Sequence, residues 1–134
     1  MMNLSGMISD EVIEAILEIF KQEHPSGVYV VSKMLNGNVL IEGERDQSLY
    51  LRPFPAQTLT LSRISTLRSR KGIGKAILDV LEKTAKEHGC SQLVLEQVMT
   101  EDMHRFAKKH GFEEDPLTMM TLGDHRVGNY AKAI

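Results

Sequence analysis

The order of sequence patterns between residues 57 and 98 constrains the fold of this chain more than any other feature. The strand-like run QTLTLSRIST is followed by the loop RSRKGIGK and then by a helical stripe of apolar residues that ends near Gly89. The run QLVLEQV then predicts a second strand over 92–98. Two strands joined through one helix are expected to lie side by side and parallel, through a right-handed crossover.

The first of these strands contains a break in its alternation. Leu59 and Leu61 alternate with polar residues, but the next apolar residue is Ile64 and not the residue at position 63. One extra residue in a strand is the sequence pattern of a β-bulge. The pattern is equally consistent with an Arg63 side chain whose aliphatic part packs on the sheet while its guanidinium group reaches water.

The rest of the chain predicts two further helices and several strands around this unit. One helix begins after the capping residue Ser9, and another begins after Thr100 and ends at Gly111. The dipeptide Asn36-Gly37 predicts a tight hairpin turn in which both residues take positive φ. The remaining predicted strands cover 28–34, 38–44, 48–51 and 117–122, with the tail 126–134 as a last edge strand. This order predicts a mixed α/β (α+β) fold with a central, mostly antiparallel sheet, one parallel strand pair and flanking helices.

Length, charge and cysteine content limit the class of protein. A chain of 134 residues suits one domain over 1–134, and a net charge of -2 provides no bulk attraction for nucleic acid or for an acidic membrane. Cys90 has no partner for an internal disulfide, and we find neither an apolar run long enough to span a membrane nor an export signal. The five histidines lack metal-ligand spacing. We therefore expect a cytoplasmic protein that binds no nucleic acid, membrane or metal.

The loop RSRKGIGK has the composition of an anion-binding site. The free amides of a helix N-terminus point outward, and the helix dipole favours negative charge there. Gly72 and Gly74 would let a phosphate approach the backbone closely. The loop matches neither the dinucleotide fingerprint nor the Walker pattern, because position 77 is Ile and position 76 is Ala. The alternative is a basic turn that only faces solvent. The basic side chains around the loop are Arg68, Arg70, Lys71 and Lys75.

In this context, residues 57–115 resemble the GNAT (N-acetyltransferase) superfamily. The family's loop has the form [R/Q]-x-x-G-x-[G/A], which aligns here with residues 69–74. A strand followed by a short helix that ends in Gly-Phe is a second family feature, and LVLEQVMTEDMHRFAKKHGFEE supplies it. The resemblance implies a single GNAT-like domain in which the bulge splays the two parallel strands into a V. The pantetheine arm of acetyl-CoA would lie in that V.

The resemblance also implies which residues bind the cofactor. The arm would pair with the strand backbone at 63–65, and the pyrophosphate would lie on the amides of residues 70–75. The implied cofactor-binding residues are Arg63, Ile64, Ser65, Arg68, Ser69, Arg70, Lys71, Gly72, Ile73, Gly74, Lys75, Thr100 and Phe106.

The function implied is acyl-CoA-dependent N-acyl transfer by direct attack of an amine on the thioester. The catalytic residues are not assigned by the resemblance. Ala107 stands where many members carry a tyrosine acid, and Ser69 stands where the family has Arg or Gln. Tyr130 is a remote candidate for the acid, and the candidate bases are Glu42, Glu44 and Glu96, each of which is more simply explained as a solvent-facing carboxylate.

The partners implied are an amine acceptor, either a small molecule or a protein, and a second copy of the chain. A homodimer could cover apolar strand surface that the short N-terminal half leaves open. The alternative function is a GNAT-shaped domain that binds acyl-CoA or a protein partner without turnover, which Ser69 and Ala107 favour.

Overall fold

The computed structural model describes residues 7–67, 72–98 and 100–134. No helix within these ranges is both long enough and apolar enough to cross a membrane. In chain order the elements are α1 (Asp10–Glu23), β1 (Tyr29–Lys33), β2 (Val39–Gly43), β3 (Ser48–Arg52), β4 (Thr58–Ser65), α2 (Ile73–Glu87), β5 (Gln92–Val98), α3 (Glu101–Lys109), β6 (Glu113–Glu114), β7 (Met120–Leu122) and β8 (His125–Ala133).

One mixed sheet organises these elements. Its strand order is β1-β2-β3-β4-β5-β8-β6, and β7 pairs with β8 outside this path. The β4–β5 pair is parallel and the other pairs are antiparallel. The predicted fold class is therefore confirmed, and α2 makes the predicted crossover between the two parallel strands.

The helices pack on one face of this sheet. Phe20 of α1 stacks on Tyr29 of β1 with ring centroids 5.9 Å apart. Glu82 of α2 pairs with Lys132 of β8 at 3.1 Å, and the strand registers place Tyr29 and Lys132 on the same face. The core between helices and sheet includes the buried side chains of Ile13, Ile16, Phe20, Ile41, Leu51, Leu61, Ile77, Leu81, Leu95, Phe112 and Tyr130.

The hairpin at Asn36-Gly37 is confirmed, but its turn is wider than predicted. The Met34 amide donates to the Asn38 carbonyl at 2.9 Å, which leaves three residues, 35–37, in the loop. Gly37 takes positive φ, as predicted. Asn36 instead accepts a hydrogen bond from the Asn38 amide through its side chain, so the side chain stabilises the turn.

The prediction of the C-terminal tail as an edge strand is wrong. β8 lies inside the sheet between β5 and β6, and β6 is a two-residue strand that the sequence did not predict. The predicted strand 117–122 is shortened to Met120–Leu122. Hydrophobic periodicity can indicate that a segment is a strand but not which strands it pairs with, and a two-residue strand has no alternation to detect.

Candidate active site

The parallel strands β4 and β5 pair over a short stretch and then separate. Their register runs from Thr58 opposite Gln92 to Leu61 opposite Leu95, and the described residues form no later pair between them. β4 continues to Ser65 and β5 to Val98. The two strands therefore form a V with its apex at Leu61 and Leu95. Backbone groups that face into the V lack the pairing of a continuous ladder and can bond a ligand.

A bulge in β4 bends this strand away from β5. Tyr50 of β3 lies opposite Arg63, whereas the next residue, Leu51, lies opposite Leu61. Ser62 is therefore the extra residue, and the predicted bulge is confirmed. The bulge also accounts for Ile64, which returns to the core-facing side of the strand opposite a buried residue of β3.

A second bulge bends β5 toward β8. Between Leu95 and Val98, β5 has one residue more than its partner strand. Gln97 takes a positive φ of 54°, and its amide donates to the Asn129 side chain at 2.9 Å. The sequence carried a signal for this bulge, because Leu93 and Leu95 are followed by an apolar residue at 98 and not at 97. The V is open because each of its strands bends toward its outer neighbour.

The N-terminus of α2 follows the loop that leaves β4. Gly72 is the N-cap residue, in a left-handed conformation with φ of 76°, and it has no side chain to satisfy the first amides. The first turn of α2 contains no acidic residue. In α1 and α3, by contrast, Ser9 and Thr100 cap the helix and acidic residues occupy the first turn. The arrangement in α2 leaves amide donors available to an anion.

Gly74 joins α2 to α3 by close packing. A Cβ atom at this position would lie 3.0 Å from both Cε2 and Cζ of Phe106. The absence of a side chain at Gly74 therefore makes room for the aromatic ring. The Phe106 ring also meets the His110 ring edge-on, with centroids 4.6 Å apart, and burial lowers the pKa of His110.

The structure places the predicted cofactor-binding residues that it describes on β4, at the start of α2 and on α3 with its N-cap residue. Arg63, Ile64 and Ser65 form the β4 side of the V beyond the bulge. Lys75 lies in the first turn of α2, where its Nζ pairs with Asp79 at 2.9 Å. The predicted residues Arg68, Ser69, Arg70 and Lys71 lie outside the described part of the chain.

The chain is fixed immediately before this loop. The Leu67 amide donates to Oε1 of Glu23, at the end of α1, over 3.1 Å. The same carboxylate oxygen accepts a hydrogen bond from the Gln47 side chain at 3.1 Å. Glu23 therefore connects the end of α1 and the residue before β3 to the chain where it leaves the V. No local sequence pattern marks this contribution.

Glu96 is the one candidate base among the three carboxylates that lies on the splayed strand pair. It directly follows Leu95, and Nη1 of Arg52 lies 3.3 and 3.4 Å from its two carboxylate oxygens. Glu42 is on β2, two strands from β4. Glu44 follows β2, and a hydrogen bond from His24 at 3.0 Å lowers the pKa of its carboxyl group.

Ala107 and Tyr130, the two residues considered for the acid, are both fully buried. Nε2 of His104 lies 2.7 Å from the Arg126 carbonyl oxygen, which can only accept, so Nε2 carries the hydrogen. In the neutral ring Nδ1 then accepts from the Tyr130 hydroxyl at 2.6 Å. Burial, followed by the charge of Glu114, raises the pKa of Tyr130. The hydroxyl of Tyr130 is thus buried and hydrogen-bonded to His104.

Cys90 is a buried side chain beside Met7, and burial raises the pKa of its thiol. This environment does not favour a nucleophilic thiolate. Within the described ranges, no group of three His, Cys, Asp or Glu residues is arranged to hold a metal ion.

A family comparison agrees with this geometry. Residues 48–112, just under half of the chain, match the model of the Acetyltransferase (GNAT) family. The predicted resemblance to the GNAT family is confirmed. The match covers β3, both strands of the V, α2 and α3, so it includes the elements that build the site. No protein of curated function matches the sequence at a significant level.

Solved structures of acetyltransferases share the fold. An IAA acetyltransferase from Bacillus cereus ATCC 14579 is 14% identical with a TM-score of 0.54, covering 88% of this chain and 91% of that one. A protein from Desulfovibrio desulfuricans assigned to the GNAT family is 14% identical with a TM-score of 0.57, covering 96% and 91%. A protein from Bacillus anthracis str. Ames assigned as a streptothricin acetyltransferase, in complex with acetyl coenzyme A, is 11% identical with a TM-score of 0.56, covering 81% and 84%. At sequence identities of 11% to 14%, the similarity shows the fold of the chain and nothing more.

Proposed function

We propose that the protein is an acyl-CoA-dependent N-acyltransferase, a single domain that transfers the acetyl group of acetyl-CoA to a primary amine. The observation that carries this proposal is the V between β4 and β5, which two bulges hold open beside an uncapped helix N-terminus. The family match supports acyl transfer, and the acetyl-CoA complex of the Bacillus anthracis protein supports the choice of donor.

In this proposal, acetyl-CoA lies along β4 with its pyrophosphate at α2 and its thioester near the apex of the V. The backbone of Arg63, Ile64 and Ser65 bonds the pantetheine arm. The amides at the start of α2, from Gly72 to Lys75, hold the pyrophosphate, and the loop residues Arg68, Ser69, Arg70 and Lys71 complete its binding site. Phe106 and Thr100 contribute from α3, where the first packs on α2 and the second fixes the helix start.

The proposed chemistry is direct transfer. Glu96 takes a proton from the amine, whose nitrogen then attacks the thioester carbon, and the C–S bond breaks as the C–N bond forms. Arg52 positions the Glu96 carboxylate. The CoA thiolate leaves without a protein acid, since a thiol of pKa about 8.5 is a sufficient leaving group, and this agrees with alanine at position 107.

Cofactor binding is tested by the thermal stability of the protein with acetyl-CoA. A ligand at about 100 times its dissociation constant stabilises the folded state by about 2.7 kcal/mol. The sharpest variants are at Gly72, because a Cβ there would have no atom within 4 Å. Gly72→Glu and Gly72→Gln impose the same backbone strain and differ in charge, so Glu should abolish the shift while Gln retains part of it. The absence of a shift in the wild-type protein at saturating acetyl-CoA would exclude the cofactor.

Turnover is tested by the release of free CoA across a panel of primary amines. Glu96→Gln should lower kcat by about 100-fold or more, as expected for loss of a general base, without weakening acetyl-CoA binding. Glu42→Gln is the matched control, since it removes an exposed carboxylate two strands away from β4. Equal activity of Glu96→Gln and the wild type would exclude Glu96 as the base.

A second candidate function is acyl-CoA binding without turnover. Two observations favour it. Ala107 cannot donate a proton, and the buried Tyr130 hydroxyl is hydrogen-bonded to His104. The same two assays separate the candidates. A thermal shift with acetyl-CoA but no release of CoA with any amine of the panel would support a binding domain.

A further inference from the structure

The ion pair between Arg52 and Glu96 lies on the face of the sheet opposite to the helices. The strand registers place Leu51 and Leu95 on the helix-facing side, where both are buried in the core. Because successive side chains of a strand point to opposite faces, Arg52 and Glu96, which directly follow these leucines, point to the other face. Core side chains fill the helix-facing side of the V, so an acceptor must approach the apex from this other face.

Phe54 places an aromatic ring beside this ion pair. The ring centroid lies 5.9 Å from Cζ of Arg52. The Phe54 carbonyl accepts a hydrogen bond from the Thr60 hydroxyl at 2.6 Å, which holds the segment after β3 against the same face of the sheet. Phe54 is 62% exposed. An isolated exposed aromatic side chain needs no explanation, but this ring stands next to two opposite charges near the apex of the V.

The hydrogen-bonding capacity of the ion pair is only partly used within the protein. The side chains of Arg52 and Glu96 are 33% and 27% exposed. Among the described residues, Nη1 is the only guanidinium nitrogen of Arg52 with a hydrogen-bond partner, and it serves both carboxylate oxygens of Glu96. A guanidinium group has five N–H donors, so Nε and Nη2 are available to a second carboxylate. The Glu96 oxygens can likewise accept further hydrogen bonds from an ammonium group.

We propose that the acceptor is an α-amino acid with an aromatic or other apolar side chain. This inference rests on the proposed function and names the substrate class of the same site. The ammonium group of the acceptor lies at Glu96, its carboxylate at Arg52 and its side chain against Phe54. An amino acid carries opposite charges on one carbon atom, and these charges are complementary to the adjacent charges of the ion pair.

The transfer to such an acceptor balances without a further reactant. The ammonium group loses one proton to Glu96, the nitrogen attacks the thioester carbon, and the C–N bond forms as the C–S bond breaks. A second proton of the nitrogen passes to the departing thiolate, so the products are the N-acetyl amino acid and CoA. Arg52 stays charged throughout and holds both the base and the acceptor carboxylate.

A panel of amines shows which groups of the acceptor the protein recognises. Phenylalanine has both the carboxylate and the ring, phenylethylamine lacks the carboxylate, and alanine lacks the ring. For the wild type with acetyl-CoA, kcat/KM for phenylalanine should exceed that for phenylethylamine by about tenfold or more, as expected for a hydrogen bond between charged groups. It should exceed that for alanine by about threefold or more, because of the aromatic contact. A peptide with blocked termini and one lysine represents a macromolecular amine and should be a poorer acceptor than phenylalanine.

Two variants assign these preferences to their residues. Phe54→Ala should lower kcat/KM for phenylalanine by about three- to tenfold and leave that for alanine unchanged. Arg52→Gln should slow every amine, because Arg52 also positions Glu96, and should in addition remove most of the preference for phenylalanine over phenylethylamine. Val30→Ala is the matched control for Phe54→Ala. Val30 is 61% exposed but lies on β1, three strands from β4, so its replacement should change no ratio.

The possible results separate the substrate class from the proposed function. If the wild type acetylates amines without preferring phenylalanine over phenylethylamine, alanine and the lysine peptide, the substrate class is wrong while acyl transfer stands. Equal losses for phenylalanine and alanine in Phe54→Ala, or an unchanged carboxylate preference in Arg52→Gln, would also overturn the inference. If the wild type acetylates none of these amines, the proposed function itself fails, which is visible before any variant is compared.

Discussion

Gly72 and Gly74 are two residues apart, but the absence of a side chain serves a different purpose at each. Gly72 has φ of 76°, a conformation that strains other L-residues, and a Cβ added there would have no atom within 4 Å. At Gly74 a Cβ would lie 3.0 Å from two ring atoms of Phe106. Gly72 therefore sets the backbone at the helix start, and Gly74 sets how closely α2 approaches α3.

This difference predicts a coupling between positions 74 and 106. Gly74→Ala should lower the free energy of unfolding by about 1 kcal/mol, because the Phe106 ring must move. In a Phe106→Ala background the same change should be neutral or stabilising, since alanine favours the helix more than glycine does. Urea denaturation followed by far-UV circular dichroism measures all four proteins. Strictly additive effects would show that the two positions do not interact.

The elements of the site differ in how far their sequence reveals them. The bulge in β4 was predictable because alternation fails at Ile64, and the same failure at Val98 marks the bulge in β5. The position of β8 inside the sheet was not predictable, because it depends on pairing with strands distant in sequence. The ion pair between Arg52 and Glu96 was equally inaccessible, since the two residues lie far apart in the sequence. A local pattern thus revealed the bulge in β4, whereas long-range contacts decide what surrounds it.

The capped helices α1 and α3 provide a prediction about single secondary-structure elements. Thr100 accepts a hydrogen bond from the Met103 amide at 3.1 Å, and Ser9 accepts one from the Val12 amide at 3.3 Å. Replacing either residue with alanine should lower the free energy of unfolding by about 1 kcal/mol. Only Thr100→Ala should also weaken acetyl-CoA binding, because α3 holds Phe106 against the start of α2. Calorimetric titration checks this difference, and equal affinities in the two variants would argue against a contribution of α3 to the cofactor site.

At the scale of the whole molecule, distant parts of the chain meet at the turn between α2 and β5. The side chain of Met7 is fully buried, and its Sδ lies 3.9 Å from the Cys90 Sγ. The Ile134 amide donates to the Ser91 carbonyl at 3.0 Å. The helices share one face of the sheet with a single core cluster. These contacts connect both halves of the chain to the elements of the proposed cofactor site, so we expect the two halves to unfold together.

The last prediction is therefore one cooperative unfolding transition. The chain contains no tryptophan and three tyrosines, so near-UV circular dichroism reports mainly on the packing around Tyr29, Tyr50 and Tyr130, while far-UV circular dichroism reports on the secondary structure. The two signals should give the same urea midpoint, as expected for a domain of this size. Saturating acetyl-CoA should raise both midpoints equally, because a ligand that binds the folded state stabilises the whole cooperative unit. Comparing wild type with Tyr29→Phe, which removes one tyrosine from the N-terminal half, gives the part of the near-UV signal that comes from Tyr29. Separate midpoints, or a ligand shift in only one signal, would mean that the V and the N-terminal strands fold as independent units.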